Sequence, residues 1–240
     1  ITPLLASVSA GNAERIEIVH TCVAISSHAR PDSVLRGNRD SSMFIAVDRV
    51  RQGLADACVS AGNTGALLMA GRHLLDAIPG IDKPAIMAML PATRAGGYSY
   101  LLDVGANISN TAAELYQFAL MGAVVASSLS DRPHARVALL NIGEEANKGT
   151  PEIREAATLL ADSPDVNYIG FIEGNQLFDG VADVIVCDGF TGNITIKTSA
   201  GAVKVMQRRL LGSIRSTWYY RLLGWLAQPL LRDIRKDLNP

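Results

Sequence analysis

Short apolar runs alternate with longer segments of helical spacing along most of the chain. Helical spacing is clearest in residues 112–129 and 153–160 and in the leucines at 67, 68, 74 and 75. This alternation is typical of an α/β fold, in which a mainly parallel sheet is covered by helices. The runs that we predict to be strands are residues 16–19, 55–59, 85–90, 100–104, 136–142, 168–172 and 184–187.

Two features modify this pattern. The runs at 85–90 and 100–104 are joined by a glycine-containing loop with no helical segment, so we predict a hairpin there. The only break in composition lies near Lys204. We therefore divide the chain into an α/β catalytic domain, 1–203, and a basic amphipathic helical segment, 204–240.

Four small, polar, glycine-bearing loops follow predicted strands. They are residues 60–65 (SAGNTG), 103–107 (DVGAN), 141–150 (NIGEEANKGT) and 188–193 (DGFTGN). In a parallel sheet such loops emerge at the carboxyl edge, where open α/β folds place their ligands. The sequence therefore predicts one ligand site built from all four loops.

The fourth loop lies in the most informative stretch, residues 182–201, which reads as a buried strand, a glycine turn and a helix start. Gly189 and Gly192 allow a sharp turn and a close backbone approach to a ligand. Free N–H groups at a helix start suit an anion. An ordinary strand-to-helix connection is the alternative.

The loops carry amides and one cation, and they contain no nucleotide-binding motif. Neither G-x-G-x-x-G nor G-x-x-x-x-G-K-[ST] is present. Asn63, Asn107 and Asn193 supply amides and Lys148 supplies positive charge, which together suit a phosphate or a developing oxyanion. Lys148 could instead be a solvated loop lysine.

Other chemistries lack their markers. The four histidines show no metal-ligand spacing, and none falls near a candidate loop to form a Ser-His-Asp or Cys-His pair. The three cysteines are far apart, which favours a reducing, cytoplasmic setting. We expect no cofactor, no metal and no nucleic-acid partner.

The whole chain has 240 residues, is 48% hydrophobic and carries a formal net charge of −1, which is ample for a globular core. It begins with Ile1 and ends without a closing element, so we expect a fragment of a longer protein. It contains no signal peptide and no continuous apolar run of about 18 residues, so no membrane span is expected.

The last 37 residues differ in charge from the rest, with a net charge of +6 against −7 for residues 1–203. Within residues 210–231, apolar side chains recur every four positions among aromatic rings and arginines. This composition is typical of a helix lying in a membrane interface, and packing in a dimer is the alternative. The predicted contact residues are Arg215, Trp218, Arg221, Leu222 and Trp225.

Long motifs in the loops and strands resemble the PlsX family of bacterial phosphate acyltransferases. They read, in order, SAGNTGALLMAG, LLDVGAN, ALLNIGEEANKGT and ADVIVCDGFTGNITIKTSAG. Two further motifs are ARPDSVLRG at 29–37, before the first of these, and YQFALMGAV at 116–124, between the second and the third. The resemblance implies transfer of a fatty acyl group from acyl carrier protein to inorganic phosphate. It also implies a three-layer α/β/α fold related to phosphotransacetylases and isopropylmalate dehydrogenases.

The same resemblance assigns roles and partners. Lys148 would neutralise phosphate and the tetrahedral oxyanion, and Asn193 would donate to the same intermediate. The remaining phosphate-binding positions are Ser60, Gly62, Asn63, Thr64, Gly65, Asn107, Gly189 and Gly192. A homodimer bound peripherally to an anionic membrane surface is implied, and the arginines after Lys204 could instead receive the acidic carrier. The family's opening strand and its last hundred or so residues lie outside this sequence.

Two alternatives of other classes stay open at this point. A non-catalytic module that docks acyl carrier or phosphate on membranes would need the basic segment but not Lys148. A short-chain phosphotransacetylase would need the loops but not the aromatic, basic segment.

Overall fold

The computed structural model of the chain describes residues 16–93, 97–129, 133–216, 219 and 227. The chain divides into two compact units, Ile1–Ile78 and Pro79–Pro240. The boundary that we predicted after residue 203 lies inside a long helix of the second unit, so a separate segment 204–240 stays a prediction.

The regular elements described in the first unit are all helical. A 3-10 turn, Pro31–Val34, precedes helices α1 (Ser42–Arg51) and α2 (Thr64–Leu74). Each helix starts at a polar cap, because the Ser41 hydroxyl accepts from the Phe44 N–H and the Asn63 side-chain oxygen Oδ1 accepts from the Ala66 N–H. A small core between these elements contains Val34, Met43, Val47, Ala66 and Ala70.

The strands predicted at residues 16–19 and 55–59 are wrong. Neither run pairs with another described segment. Val59 is 97% exposed, the opposite of a buried strand position. An apolar run becomes a strand only where a neighbouring backbone accepts and donates its hydrogen bonds, and no described segment does so here.

The second unit is built on a five-stranded sheet. Its strands are β1 (Met87–Pro91), β2 (Tyr98–Leu102), β3 (Arg136–Leu140), β4 (Asn167–Ile172) and β5 (Val184–Val186). The spatial order is β1-β2-β5-β3-β4. The pairs β2–β5, β5–β3 and β3–β4 are parallel, and β1–β2 is the predicted antiparallel hairpin.

Both faces of this sheet are covered. On one face, Leu102, Val137 and Val184 pack against α3 (Ala112–Leu129) and α4 (Pro151–Ala161). On the other face, Leu101, Ala138 and Ile185 pack against residues after the 3-10 turn Gly174–Gln176 and against Ile196 of α5 (Gly189–Ser216). The predicted α/β class with a mainly parallel sheet is confirmed.

Among the described helices, only α3 is long and apolar enough to cross a membrane by length and composition. Its side chains Leu115, Phe118 and Ala119 are buried against the sheet. A helix with such a face is the core helix of an α/β unit, because the sheet supplies the apolar surroundings that its composition needs.

Helix α5 leaves the sheet surface as it proceeds, since every side chain described from residue 201 to 213 is exposed. The predicted contact residues Trp218, Arg221, Leu222 and Trp225 lie outside the described residues, and so does the side chain of Arg215.

The crossing of α3 over β5 leaves no space for a side chain at Gly122. A Cβ there would lie 2.5 Å from Val184 Cγ1 and 3.2 Å from Leu102 Cδ1. We expect Gly122→Ala to lower the free energy of unfolding by about 1–3 kcal/mol in urea denaturation. The control Gly201→Ala, which meets nothing within 4 Å, should raise it slightly because alanine is the better helix former. Equal effects of the two changes would contradict tight packing of α3 on β5.

Candidate functional site

Three of the four predicted loops lie together at the carboxyl edge of the sheet. Residues 103–107 follow β2, residues 188–193 follow β5 and residues 141–150 follow β3. These strands are adjacent and parallel in the order β2-β5-β3, so their carboxyl ends meet at one edge. The three loops therefore form one candidate site within the second unit.

The fourth loop, residues 60–65, belongs to the first unit and does not follow a strand. Our argument from a shared sheet edge was therefore wrong for this loop. Its role in phosphate binding stays a prediction. Ser60, Gly62 and Thr64 are exposed, and the loop leads into a helix start, which presents free N–H groups.

Local contacts define that loop. The Ser60 hydroxyl accepts from the Gly62 N–H at 3.1 Å. The Asn63 amide caps α2 and also donates to three backbone carbonyls, those of Ser26, Ser27 and Ala29, at 2.9–3.3 Å. The Asn63 side chain therefore holds the loop in place, and Gly65 fits closely against Pro31.

Asp103 organises the loop after β2. Its side chain is fully buried. Oδ1 accepts from the N–H groups of Ile86, Gly105 and Ala106 at 2.9–3.2 Å, and Oδ2 accepts from the N–H and the Nδ2 of Asn107 at 2.8 and 3.0 Å. Five donors thus bind one carboxyl group, and these hydrogen bonds hold the loop in one conformation.

The turn after β5 packs directly on that loop. A Cβ at Gly189 would overlap the carbonyl oxygen of Asn107, and a Cβ at Gly192 would overlap the carbonyl oxygen of Asp103. Backbone cannot move aside as a flexible side chain does, so only glycine fits at either position. The two glycines therefore allow close contact with the backbone of the loop after β2. Their contact with phosphate stays a prediction.

This packing places Asn193 beside the loop after β2. A Cβ at Gly105, which has φ +127°, would lie 3.4 Å from Cβ and Cγ of Asn193. The Asp188 carboxylate caps the start of α5, accepting from the Thr191 N–H at 2.8 Å and the Thr191 hydroxyl at 2.7 Å. Asn193 is half-buried in the first turns of α5, on a backbone fixed from both sides.

Lys148 lies exposed in the loop after β3 and makes no ion pair with any described residue. The backbone N–H of Lys148 donates to the carbonyl of Glu145 at 3.0 Å, and the exposed Glu144 accepts from Gln176 Nε2 at 2.8 Å. The Lys148 ammonium thus forms no ion pair with the described residues, so it can pair with an anionic substrate.

Asn107 serves the structure of the site. Its Nδ2 donates to the Pro84 carbonyl at 2.9 Å as well as to Asp103. These two bonds use both hydrogens of the Asn107 side-chain amide. Only its oxygen Oδ1 is left for phosphate, and an acceptor oxygen is a poor partner for an anion. This geometry does not support the predicted role of Asn107 in phosphate binding, which stays a prediction.

Sequence reasoning missed two residues at this edge. We predicted no role for Asp103 in the loop 103–107. An aspartate followed by small residues is nevertheless a known signal for a side chain that accepts hydrogen bonds from its own loop. Asn141, at the end of β3, is buried against Gly149, and its Nδ2 has no hydrogen-bond partner among the described residues. No sequence signal distinguishes such a donor.

A cleft of about 550 Å³ adjoins these loops where α3, α4 and α5 begin. Glu114 lies in its wall, where its carboxylate contacts Lys83 Nζ at 2.7 Å and accepts from Asn110 Nδ2 and the Thr111 N–H at 3.1 Å each. Burial by itself would raise the pKa of Glu114, but these three hydrogen bonds outweigh burial and leave the pKa below its usual value.

The five hydrogen bonds to Asp103 predict a large effect of Asp103→Asn. An amide at this position turns one of the two acceptor oxygens into a donor, which then faces three donors at the Oδ1 position or two at the Oδ2 position. We expect the free energy of unfolding to fall by about 3 kcal/mol in urea denaturation. Asp165→Asn, an exposed aspartate, should change it by less than about 0.5 kcal/mol. A small effect at Asp103 would contradict the role given to this carboxyl group.

Comparison with known proteins extends over the whole chain. A family model described as "Fatty acid synthesis protein" matches residues 1–240. The chain is 46% identical over 227 residues to a phosphate acyltransferase of Shewanella woodyi, which covers 95% of this chain and 66% of the relative. It is 46% identical over 238 residues to a phosphate acyltransferase of Pseudomonas putida, covering 99% of this chain and 70% of the relative. The chain thus spans about two thirds of the length of these relatives.

A solved structure agrees with the fold. A phosphotransacetylase from Streptococcus pyogenes superposes with a TM-score of 0.57 at 20% identity, covering 72% of this chain and 58% of that one. At this identity the likeness concerns the fold alone, and it agrees with the α/β/α arrangement. Since the family model covers the whole chain and the relatives align with 95–99% of it, the chain belongs to the family of fatty acid synthesis proteins, the PlsX family that its loop motifs resemble.

Proposed function

We propose that this chain transfers a fatty acyl group from acyl carrier protein to inorganic phosphate and so forms acyl phosphate for phospholipid synthesis. The observation that carries the proposal is that two neighbouring loops of one sheet edge bear a lysine without an ion pair to any described residue, Lys148, and an amide, Asn193. Relatives that are 46% identical to the chain over the aligned residues are named phosphate acyltransferase.

The chemistry needs positioning more than a strong base. Phosphate is already an anionic nucleophile near neutral pH, and one of its oxygens attacks the thioester carbonyl carbon. The tetrahedral intermediate collapses with cleavage of the C–S bond, and the carrier thiolate leaves and takes up a proton from solvent. Lys148 offsets the charge of phosphate and of the oxyanion, and Asn193 donates a hydrogen bond to that oxyanion.

The rigid surroundings of Asn193 suit this role. Its backbone is fixed by the Asp188 cap on one side and by the packing of Gly192 on the loop after β2 on the other. A donor that is already in place does not have to reorganise as charge develops, and preorganisation of this kind is a large part of electrostatic catalysis.

Replacement of the cation tests the proposal. We expect Lys148→Ala to lower the turnover of acyl carrier thioester by about 100-fold or more, measured as acyl phosphate formed. Lys148→Arg keeps the charge and should retain part of the rate. Lys197→Ala, an exposed lysine of α5, should stay within about twofold of the unchanged protein. Undiminished acyl phosphate formation by Lys148→Ala would remove this residue from the mechanism.

Substrate choice separates the remaining alternatives. A short-chain phosphotransacetylase would use acetyl thioesters in preference to long-chain acyl carrier thioesters. A non-catalytic docking module would bind the carrier and release no acyl phosphate with either substrate. The proposed enzyme should form acyl phosphate from the long-chain carrier thioester.

We also propose that the chain is cytoplasmic, forms a homodimer and binds an anionic membrane surface through residues 210–231. Supporting this, α5 carries exposed apolar side chains at Val203, Met206 and Leu210 as it approaches that segment. Basic residues and apolar side chains on one helix favour an anionic lipid interface.

Aromatic side chains provide the test of membrane binding. We expect the double change Trp218→Asp and Trp225→Asp to abolish most sedimentation of the protein with vesicles that contain anionic lipid, since it replaces two aromatic side chains that favour a lipid interface with negative charge. Light scattering on the same protein variants in the absence of vesicles reports whether the dimer forms. Unchanged sedimentation would refute membrane contact by these residues, and loss of the dimer alone would assign them to the subunit interface.

A further inference from the structure

We propose that Gln176 holds the Glu144 carboxylate away from Lys148 and so keeps the Lys148 ammonium available to phosphate. Gln176 is the last residue of the 3-10 turn Gly174–Gln176, which follows β4. It is a positioning residue in this proposal, because it acts on the lysine through Glu144. The inference rests on the proposed function, since it concerns the lysine and the phosphate of the same reaction.

The turn after β4 lies beside the loop that carries Lys148. Strands β3 and β4 are adjacent and parallel, so their carboxyl ends meet at the same edge of the sheet. The Asn141 N–H donates to the Ile172 carbonyl at 2.9 Å and joins the two strands where their loops begin. Beyond this junction, Gln176 Nε2 donates to Glu144 Oε1 at 2.8 Å. A side chain from the turn after β4 therefore contacts the loop 141–150.

The orientation of the Gln176 amide is fixed by its own turn. Its Oε1 accepts from the Glu173 N–H at 2.8 Å. Because only the oxygen of the amide can face a backbone N–H, the Nε2 hydrogens are left for another acceptor, and Glu144 is that acceptor. Gln176 is half-buried and Glu144 is exposed. The more constrained side chain therefore sets the position of the freer one.

Lys148 is the alternative partner of Glu144. The Lys148 N–H donates to the Glu145 carbonyl at 3.0 Å, and a turn of this kind brings the Cα atoms of these two residues within about 7 Å. Glu144 directly precedes the turn, so its carboxylate, once released, comes within reach of the long lysine side chain. Lys148 makes no ion pair with any described residue. An ion pair with Glu144 would compete with phosphate for the ammonium.

The second carboxylate of the loop belongs to Glu145. A Cβ at Gly143 would lie 2.7 Å from Glu145 Oε2 and 3.1 Å from Lys148 Cγ, so both side chains pass over this glycine. Glu145 is retained in every variant of the test, and its charge therefore acts equally on all of them. A difference between the variants reports Glu144.

The backbone next to Lys148 is held without Gln176. A Cβ at Gly149, which has φ +86°, would overlap Asn141 Oδ1, so the backbone that follows the lysine packs on a buried side chain. Arg154 Nη1 also donates to the Gly149 carbonyl at 2.6 Å. A change at Gln176 therefore releases the Glu144 side chain and leaves the backbone at Lys148 in place.

The test measures the affinity of the protein for inorganic phosphate by phosphorus NMR titration, which needs no turnover. We expect Gln176→Met to weaken phosphate binding about threefold, because the released Glu144 forms an exposed ion pair with Lys148. In a protein that carries Glu144→Gln, the same change at Gln176 should leave the affinity unaltered, because the competing carboxylate is gone. A merely structural effect of losing Gln176 would not depend on the charge at Glu144.

Steady-state kinetics give a second measurement. Gln176→Met should raise the KM for phosphate by a similar factor, about threefold, and leave kcat nearly unchanged, because saturating phosphate displaces Glu144 from the lysine.

Gln117→Met is the matched control. Gln117 is a half-buried residue of α3 that bonds in the same way, since its Oε1 accepts from the Asp82 N–H at 2.9 Å and its Nε2 donates to the Asp82 carboxylate at 2.7 Å. Neither residue of this pair belongs to a site loop, so its loss should leave phosphate affinity unchanged. A threefold loss in this control would overturn the proposal, and so would an unchanged affinity in Gln176→Met.

The outcomes separate this inference from the proposed function. A loss of phosphate affinity in Gln176→Met that requires Glu144, in a protein that forms no acyl phosphate, would support the positioning role and refute the transfer reaction. Acyl phosphate formation together with a loss that is the same with and without the Glu144 carboxylate would support the reaction and refute the positioning role. Phosphate affinity that is unchanged in Lys148→Ala would refute the positioning role as well, since the lysine would then not bind phosphate.

Discussion

Backbone-to-backbone contact between the turn after β5 and the loop after β2 is the constraint on which the candidate site depends. Gly189 and Gly192 allow this contact because a Cβ at either position would overlap a carbonyl oxygen of the neighbouring loop. The contact sets where α5 begins and therefore where Asn193 lies. A close approach of two rigid backbones is more exact than side-chain packing, since neither partner has rotamers to change.

Asp103 makes this contact possible from the other side. A loop pressed against a glycine turn would leave several N–H groups without water, and the buried carboxyl group accepts from five donors instead. Asn107 completes the arrangement through Pro84. The polar residues closest to the sheet edge thus maintain the shape of the site, while the residues that we assign to chemistry lie farther along each loop.

Electrostatics divides the edge into two regions. Lys148 has no ion pair among the described residues, whereas Lys83 is neutralised by Glu114 within the adjoining cleft. An anion is therefore favoured near Lys148, and an uncharged, partly apolar group is favoured in the cleft.

The sequence by itself determined the elements whose signal is local. Helix α3, the β1–β2 hairpin, the central strands and the glycine loops all follow from periodicity and turn residues. Only the tertiary structure decided that residues 16–19 and 55–59 form no strand, since pairing depends on a distant backbone. The tertiary structure alone revealed the five donors around Asp103 and the buried Asn141 amide, because hydrogen bonds between remote residues leave no periodic trace in the chain.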